Sequence, residues 1–129
     1  MISPEKQGKK PNIVLIMTDQ QGANMIGSYT NLRLNTDNID SLGDRGIQFT
    51  NCFTTCPLCT PARAAIFTGM FSSRTGAWAN NLPLGQNIKT AGERFSDSGY
   101  KTAYIGKWHL DGTDYFGSGE CPSGWNPDY

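Results

Sequence analysis

The chain has 129 residues, enough for one domain with a core of its own. Basic and acidic residues number 11 each, so the formal charge is zero and nothing favours nucleic acid or an anionic membrane surface. Apolar residues make up 37%, Gly numbers 15, and no apolar run approaches the ~20 residues of a membrane span, which leaves a loop-rich globular composition.

Met1–Lys10 is polar and has no apolar stretch of the secretory kind. It reads as a disordered tail ahead of a domain over 11–129, and the absence of a signal implies a cytoplasmic protein. Pro11-Asn12 precedes Ile13-Val14-Leu15-Ile16-Met17, a short, unbroken apolar run rich in β-branched residues. Such a run predicts a strand buried on both faces, as in a parallel sheet. It ends at Thr18-Asp19-Gln20, and ligands of open α/β sheets bind beyond the carboxyl ends of strands. Asp19 is therefore a candidate ligand residue; alone, it would also suit an ordinary turn.

Residues 23–37 read as a polar loop. Asn38–Gly46 predicts a short amphipathic helix, with Ile39 and Leu42 on its apolar side and Gly46 as its stop. Ile47–Thr54 alternates and predicts a strand.

Cys59-Thr60-Pro61-Ala62-Arg63 follows, and an Ala-rich run closes on Gly69. Pro61 suits the first helical position, Thr60 the N-cap and Gly69 the stop. Cys59 then sits at a helix mouth that favours an anion. Arg63 stands about one turn away and leans back toward it. Cys56-x-x-Cys59 also has redox or zinc spacing, but no second ligand pair accompanies it. Cys52, Cys56 and Cys121 read as structural thiols.

Residues 70–89 are rich in turn formers. Thr90-Ala91-Gly92-Glu93 is a T-x-x-E capping box that opens a helix ending at Ser98-Gly99. Tyr100–Ile105 predicts a second buried strand, which ends at Gly106-Lys107-Trp108-His109. Leu110–Tyr129 is aperiodic and reads as loop. Trp78, Trp108 and Trp125 read as packing residues. The order of elements predicts an α/β fold with a mostly parallel sheet. Asp19, Lys107 and His109 would then share one rim.

The Cys59–Gly69 stretch resembles the signature of the type I, formylglycine-dependent sulfatases. Pro11–Gln20, Asn38–Leu42 and Gly92–Trp108 are similar to further stretches of that family, and Asp111–Gly117 looks most like its bacterial members. The resemblance implies an alkaline phosphatase/sulfatase-like fold, N-terminal part only, and hydrolysis of sulfate esters. It also implies oxidation of Cys59 to formylglycine by a maturation enzyme, whose aldehyde hydrate is the nucleophile. Asp19, Gln20 and Cys59 would bind a divalent cation, usually calcium, with magnesium as the alternative. Arg63 would hold the hydrate and the metal-site acids. Lys107 would contact sulfate, and His109 would help collapse the sulfated intermediate. Gln20 departs from the second Asp that many members carry, although an amide oxygen still suits a hard cation. Members are much longer and have further metal ligands, a Lys and a His downstream. The chain is therefore expected to hold about half an active site and to be inactive alone. A formylglycine-dependent phosphodiesterase or phosphonate monoester hydrolase, or a non-catalytic fragment, are the alternatives. Substrate identity and oligomeric state are not legible.

Overall fold

The computed structural model describes residues 10–114 and 116–128. The expected tail over 1–10 lies outside the described residues except for Lys10. The chain divides into two compact units, Met1–Asn51 and Cys52–Tyr129.

In the first unit two short 3-10 turns, Ala23–Met25 and Gly27–Tyr29, lead to helix α1, Asp37–Arg45. The expected helix is therefore present; it begins one residue earlier, at Asp37, and Gly46 ends it as anticipated. Thr36 does not cap its orphan N–H groups. Its hydroxyl accepts from the Gly27 N–H at 2.7 Å and donates to Asp40 Oδ2 at 2.9 Å. Asp40 Oδ1 accepts from the Ser28 N–H at 2.9 Å, and that bond holds the carboxyl below its ordinary range. The start of α1 is thus stapled to the turn before it. Gln48 donates to the Ser28 carbonyl at 3.2 Å, and the Tyr29 hydroxyl donates to the Phe49 carbonyl at 3.0 Å.

Helix α2, Cys59–Thr68, and helix α3, Ala91–Asp97, organise the second unit and pack against each other. Gly69 closes α2 in the left-handed conformation at φ 70°, as its sequence implies. The start of α2 differs from expectation. Leu58 is the N-cap, Cys59 is the first helical residue and Pro61 is the third. Proline fits there because that N–H also has no intrahelical partner. The capping box of α3 forms on both sides: the Thr90 N–H donates to Glu93 Oε2 at 2.8 Å, and the Glu93 N–H donates to Thr90 Oγ1 at 3.4 Å.

Ala64, Phe67, Ala77 and Leu110 are the buried apolar residues of this unit. Around Phe67 stand Trp108, Tyr104 and Trp125, with ring centroids 5.0, 5.7 and 6.3 Å away. Tilted and edge-on rings at these separations are the favoured arrangements. Gly92 makes room for this cluster, since a Cβ there would meet Trp125 Cε2 at 2.4 Å. Trp108 and Trp125 are thus packing residues, whereas Trp78 is exposed.

The expected strands at 13–17, 47–54 and 100–105 are not formed: the described residues contain no paired strand. A strand exists through its ladder bonds, and these segments lack them. Instead, the Gln48 side chain donates to the Ser28 carbonyl, and the Phe49 carbonyl accepts from the Tyr29 hydroxyl. From 100–105, Tyr100 bonds back to Phe95, and Thr102 accepts from the Asn126 N–H. Val14 is 81% and Ile105 91% exposed, so these apolar stretches are uncovered where a parallel sheet would bury them.

Candidate active site

The first turn of α2 has orphan N–H groups that need acceptors. One comes from a loop residue distant in sequence: Asn80 Oδ1 accepts from the Thr60 N–H at 3.1 Å. The adjacent Asn81 N–H donates to Thr60 Oγ1 at 3.3 Å. Asn80-Asn81 is therefore docked on the helix mouth by a reciprocal pair of bonds. Thr60 is fully buried there. Cys59 is partly exposed beside it, and its thiol is free. Cys52, Cys56 and Cys121 are free as well.

Arg63 is 7% exposed, so it is a buried cation rather than a solvated helix residue. Its Nη1 donates to the backbone carbonyl of Lys107. The Tyr104 hydroxyl donates to the same carbonyl. Burial pushes the Tyr104 phenol up, and the Arg63 charge opposes this. Two donors thus fix the chain at Lys107, two residues before His109. A buried guanidinium needs such partners, because an unpaired one would lose its hydration without return.

His109 is 4% exposed and adopts a left-handed backbone at φ 59°. Its Nε2 lies 2.7 Å from Asn81 Oδ1. Burial, then the charges of Lys107 and Arg63, push its pKa below 6.5 and favour the neutral ring. The signature helix and the Gly106–His109 segment are thereby tied twice, through Arg63 and through Asn81.

Four of the candidate residues, Cys59, Arg63, Lys107 and His109, lie within the second unit, where Arg63 bonds the Lys107 backbone and Asn81 links Thr60 to His109. Asp19 and Gln20 belong to the first unit; both are exposed, and Gln20 has φ 58°. Among the described residues no group of three or more His, Cys, Asp and Glu could hold a metal ion. Asn80, Asn81 and Tyr104 escape a reading of the sequence. Asn-Asn in a turn-rich loop looks like turn chemistry, and a Tyr in an apolar run looks like core. Further along, Asp111 accepts from the Thr113 hydroxyl at 2.7 Å and the Ser118 N–H at 2.9 Å. Burial pushes that carboxyl up, but the bonds outweigh it and hold its pKa at about 2.

The sequence matches the Sulfatase family model over residues 11–125. The chain belongs to the sulfatase family. It is 55% identical over 121 residues to the Uncharacterized sulfatase YidJ of Escherichia coli (strain K12), covering 94% of this chain and 24% of that protein. It is 35% identical over 136 residues to the N-acetylglucosamine-6-O-sulfatase of Bacteroides thetaiotaomicron, covering 98% of this chain and 24% of that one. Among solved structures it is similar to BT4656 in complex with its substrate D-glucosamine-2-N,6-O-disulfate. That match has a TM-score of 0.79 and 35% identity, over 92% of this chain and 22% of the other. The fold is thus the N-terminal part of the alkaline phosphatase/sulfatase-like α/β architecture, and the family is one of sulfuric ester hydrolases. The chain spans about a quarter of the length of these sulfatases. No helix among the described residues is long and apolar enough to cross a membrane.

Proposed function

We propose that this chain carries the nucleophile side of a sulfatase site that hydrolyses sulfate esters, with Cys59 as the residue matured to formylglycine. The observation that carries the reading is the double tie between the mouth of α2 and the Lys107–His109 segment. It ties the helix that begins at Cys59 to the backbone of Lys107 and to the ring of His109.

The residues fit the modification. Cys59 is partly exposed at the first position of a ten-residue helix, so a maturation enzyme can reach it and an oxyanion there meets the positive end of the helix. Matured to formylglycine, the side chain supplies the hydroxyl that attacks sulfur. The remaining roles belong to this chain's own groups. Arg63 holds the backbone that carries Lys107 and His109. The Lys107 ammonium binds and neutralises sulfate oxygens. The His109 ring, neutral at physiological pH, is suited to accept a proton.

The residues fit a divalent cation only in part. Asp19 and Gln20 offer adjacent hard oxygen donors, whereas Ca²⁺ takes ~6–8 ligands. They would form one edge of its shell, and the other donors must come from elsewhere. Magnesium could use the same oxygens with more water. The cation would supply charge neutralisation to the transferring sulfuryl group.

The test is coexpression with a formylglycine-generating enzyme, followed by mass spectrometry of the Cys59 peptide. Conversion to the aldehyde is expected. An unchanged thiol beside a fully processed control sulfatase overturns the reading. The matured chain should then bind calcium weakly in calorimetry and show no turnover of an aryl sulfate or of D-glucosamine-2-N,6-O-disulfate. Clear turnover would show that these residues already form a complete site, and a preference for an aryl phosphonate would move the activity to the phosphonate hydrolases.

A further inference from the structure

His109 has two ring nitrogens with different surroundings. Nε2 faces Asn81 Oδ1 at 2.7 Å. Nδ1 is buried and, among the described residues, has no hydrogen-bond partner. Buried polar atoms are normally satisfied, so an orphan of this kind marks a strained site or an atom that a water, an ion or a ligand satisfies. An amide oxygen can only accept, so Nε2 carries the proton in this contact, and in the neutral ring Nδ1 is then the lone-pair nitrogen.

The backbone around this contact is unusual in the same sense. Asn81 has φ 63° and His109 φ 59°. Left-handed backbone is tolerated by Asn but costs about 1 kcal/mol or more for most side chains, and it persists where the surroundings enforce it. Here the enforcing bonds are visible. The Asn81 N–H is held by Thr60 Oγ1, and the Asn80 side chain by the Thr60 N–H. Two residues from His109, the Lys107 carbonyl is held by Arg63 and Tyr104. Both partners are thus set in place from the signature helix before they meet each other.

We propose that Asn81 is a positioning residue that fixes His109 in the Nε2–H tautomer, leaving Nδ1 as the basic atom the ring offers to the site. Asn81 touches no reacting atom; it acts through the ring. When Nδ1 accepts a proton, the charge spreads to Nε2–H, and the Asn81 oxygen remains its acceptor. The value of this for catalysis rests on the sulfatase reading; the tautomer itself rests on geometry alone.

The chain contains a single His, so histidine-selective ¹⁵N labelling gives one ring's signals with no assignment problem. Two-bond ¹H–¹⁵N spectra of the full chain, recorded above the ring's titration, report the tautomer directly. The wild type should show a pyrrole-like Nε2, a pyridine-like Nδ1 and an Nε2–H protected from solvent exchange. Asn81→Gly keeps a residue suited to the left-handed backbone and removes the acceptor; protection should be lost and the tautomers should mix. Asn81→Asp keeps an oxygen in the same place and should restore both. A wild-type ring protonated on Nδ1 overturns the proposal, and so does Asn81→Gly with unchanged tautomer and exchange. The wild-type spectrum decides even if a variant fails to fold. No substrate or matured Cys59 is involved, so failure of the sulfatase reading leaves this result standing.

Discussion

Helices α1 and α2 are nearly the same length and behave oppositely. α1, Asp37–Arg45, has an apolar side in its sequence, yet none of its residues is buried. α2, Cys59–Thr68, has no clean stripe, yet Thr60, Pro61, Arg63, Ala64 and Phe67 are all buried. A stripe states where a helix needs a partner; burial records where one was found. α2 finds its partners because small residues let neighbours approach and because Phe67 enters an aromatic cluster. It follows that substitutions should act strongly on α2 and its neighbours and weakly on α1.

Arg63→Ala is the harshest way to press this contrast. It removes a buried guanidinium and one of the two donors to the Lys107 carbonyl. A hydrogen bond from a charged group contributes about 1.5–3 kcal/mol, so a loss of about 2 kcal/mol in urea unfolding is expected. Arg63→Lys should not restore it, because an ammonium lacks the planar fork. The counterpart, Arg45→Ala, removes exposed bonds from Nε and Nη2 to Ser41 and should stay within about 0.5 kcal/mol. Equal effects at the two positions would break the distinction between the helices.

Next in size is Gly92→Ala. The new Cβ would sit 2.4 Å from Cε2 and 2.6 Å from Nε1 of Trp125. An indole wedged against Phe67 and Tyr104 has little room to move. Overpacking of this kind costs about 1–3 kcal/mol. A fall in thermal midpoint with loss of near-ultraviolet tryptophan dichroism is the expected observation. An unchanged midpoint would mean that the aromatic cluster is loose.

The local devices were legible in the sequence. Thr90 and Glu93 announce a capping box and Gly69 a left-handed stop, because each depends on a few neighbouring residues. The long-range devices were not. That Asn80 would cap α2, or that Tyr104 and Arg63 would share the Lys107 carbonyl, depends on contacts 20 to 44 residues apart. Strands stand between these cases. Ile13–Met17 has the composition of a buried strand, and the likeness to solved sulfatases supports that architecture. Composition states the need for ladder partners and cover; it does not provide them, and Val14 remains exposed among the described residues.

The mildest substitution tests the other side of the contrast, where change should help. Gly43 lies inside α1, and a Cβ there would meet only Gln48 Oε1 at 3.7 Å, an ordinary contact. Its backbone is not left-handed, so nothing in the fold requires glycine. Glycine in a helix interior costs about 0.5–1 kcal/mol relative to alanine, through the freedom it regains on unfolding. Gly43→Ala should therefore stabilise the first unit by about that amount, seen as slower amide exchange across α1. The same exchange in α2 should not change, since the gain is local. A loss of stability would instead reveal that α1 packs tightly at Gly43, and its apolar side would then have a partner that the exposure of Ile39 and Leu42 does not show.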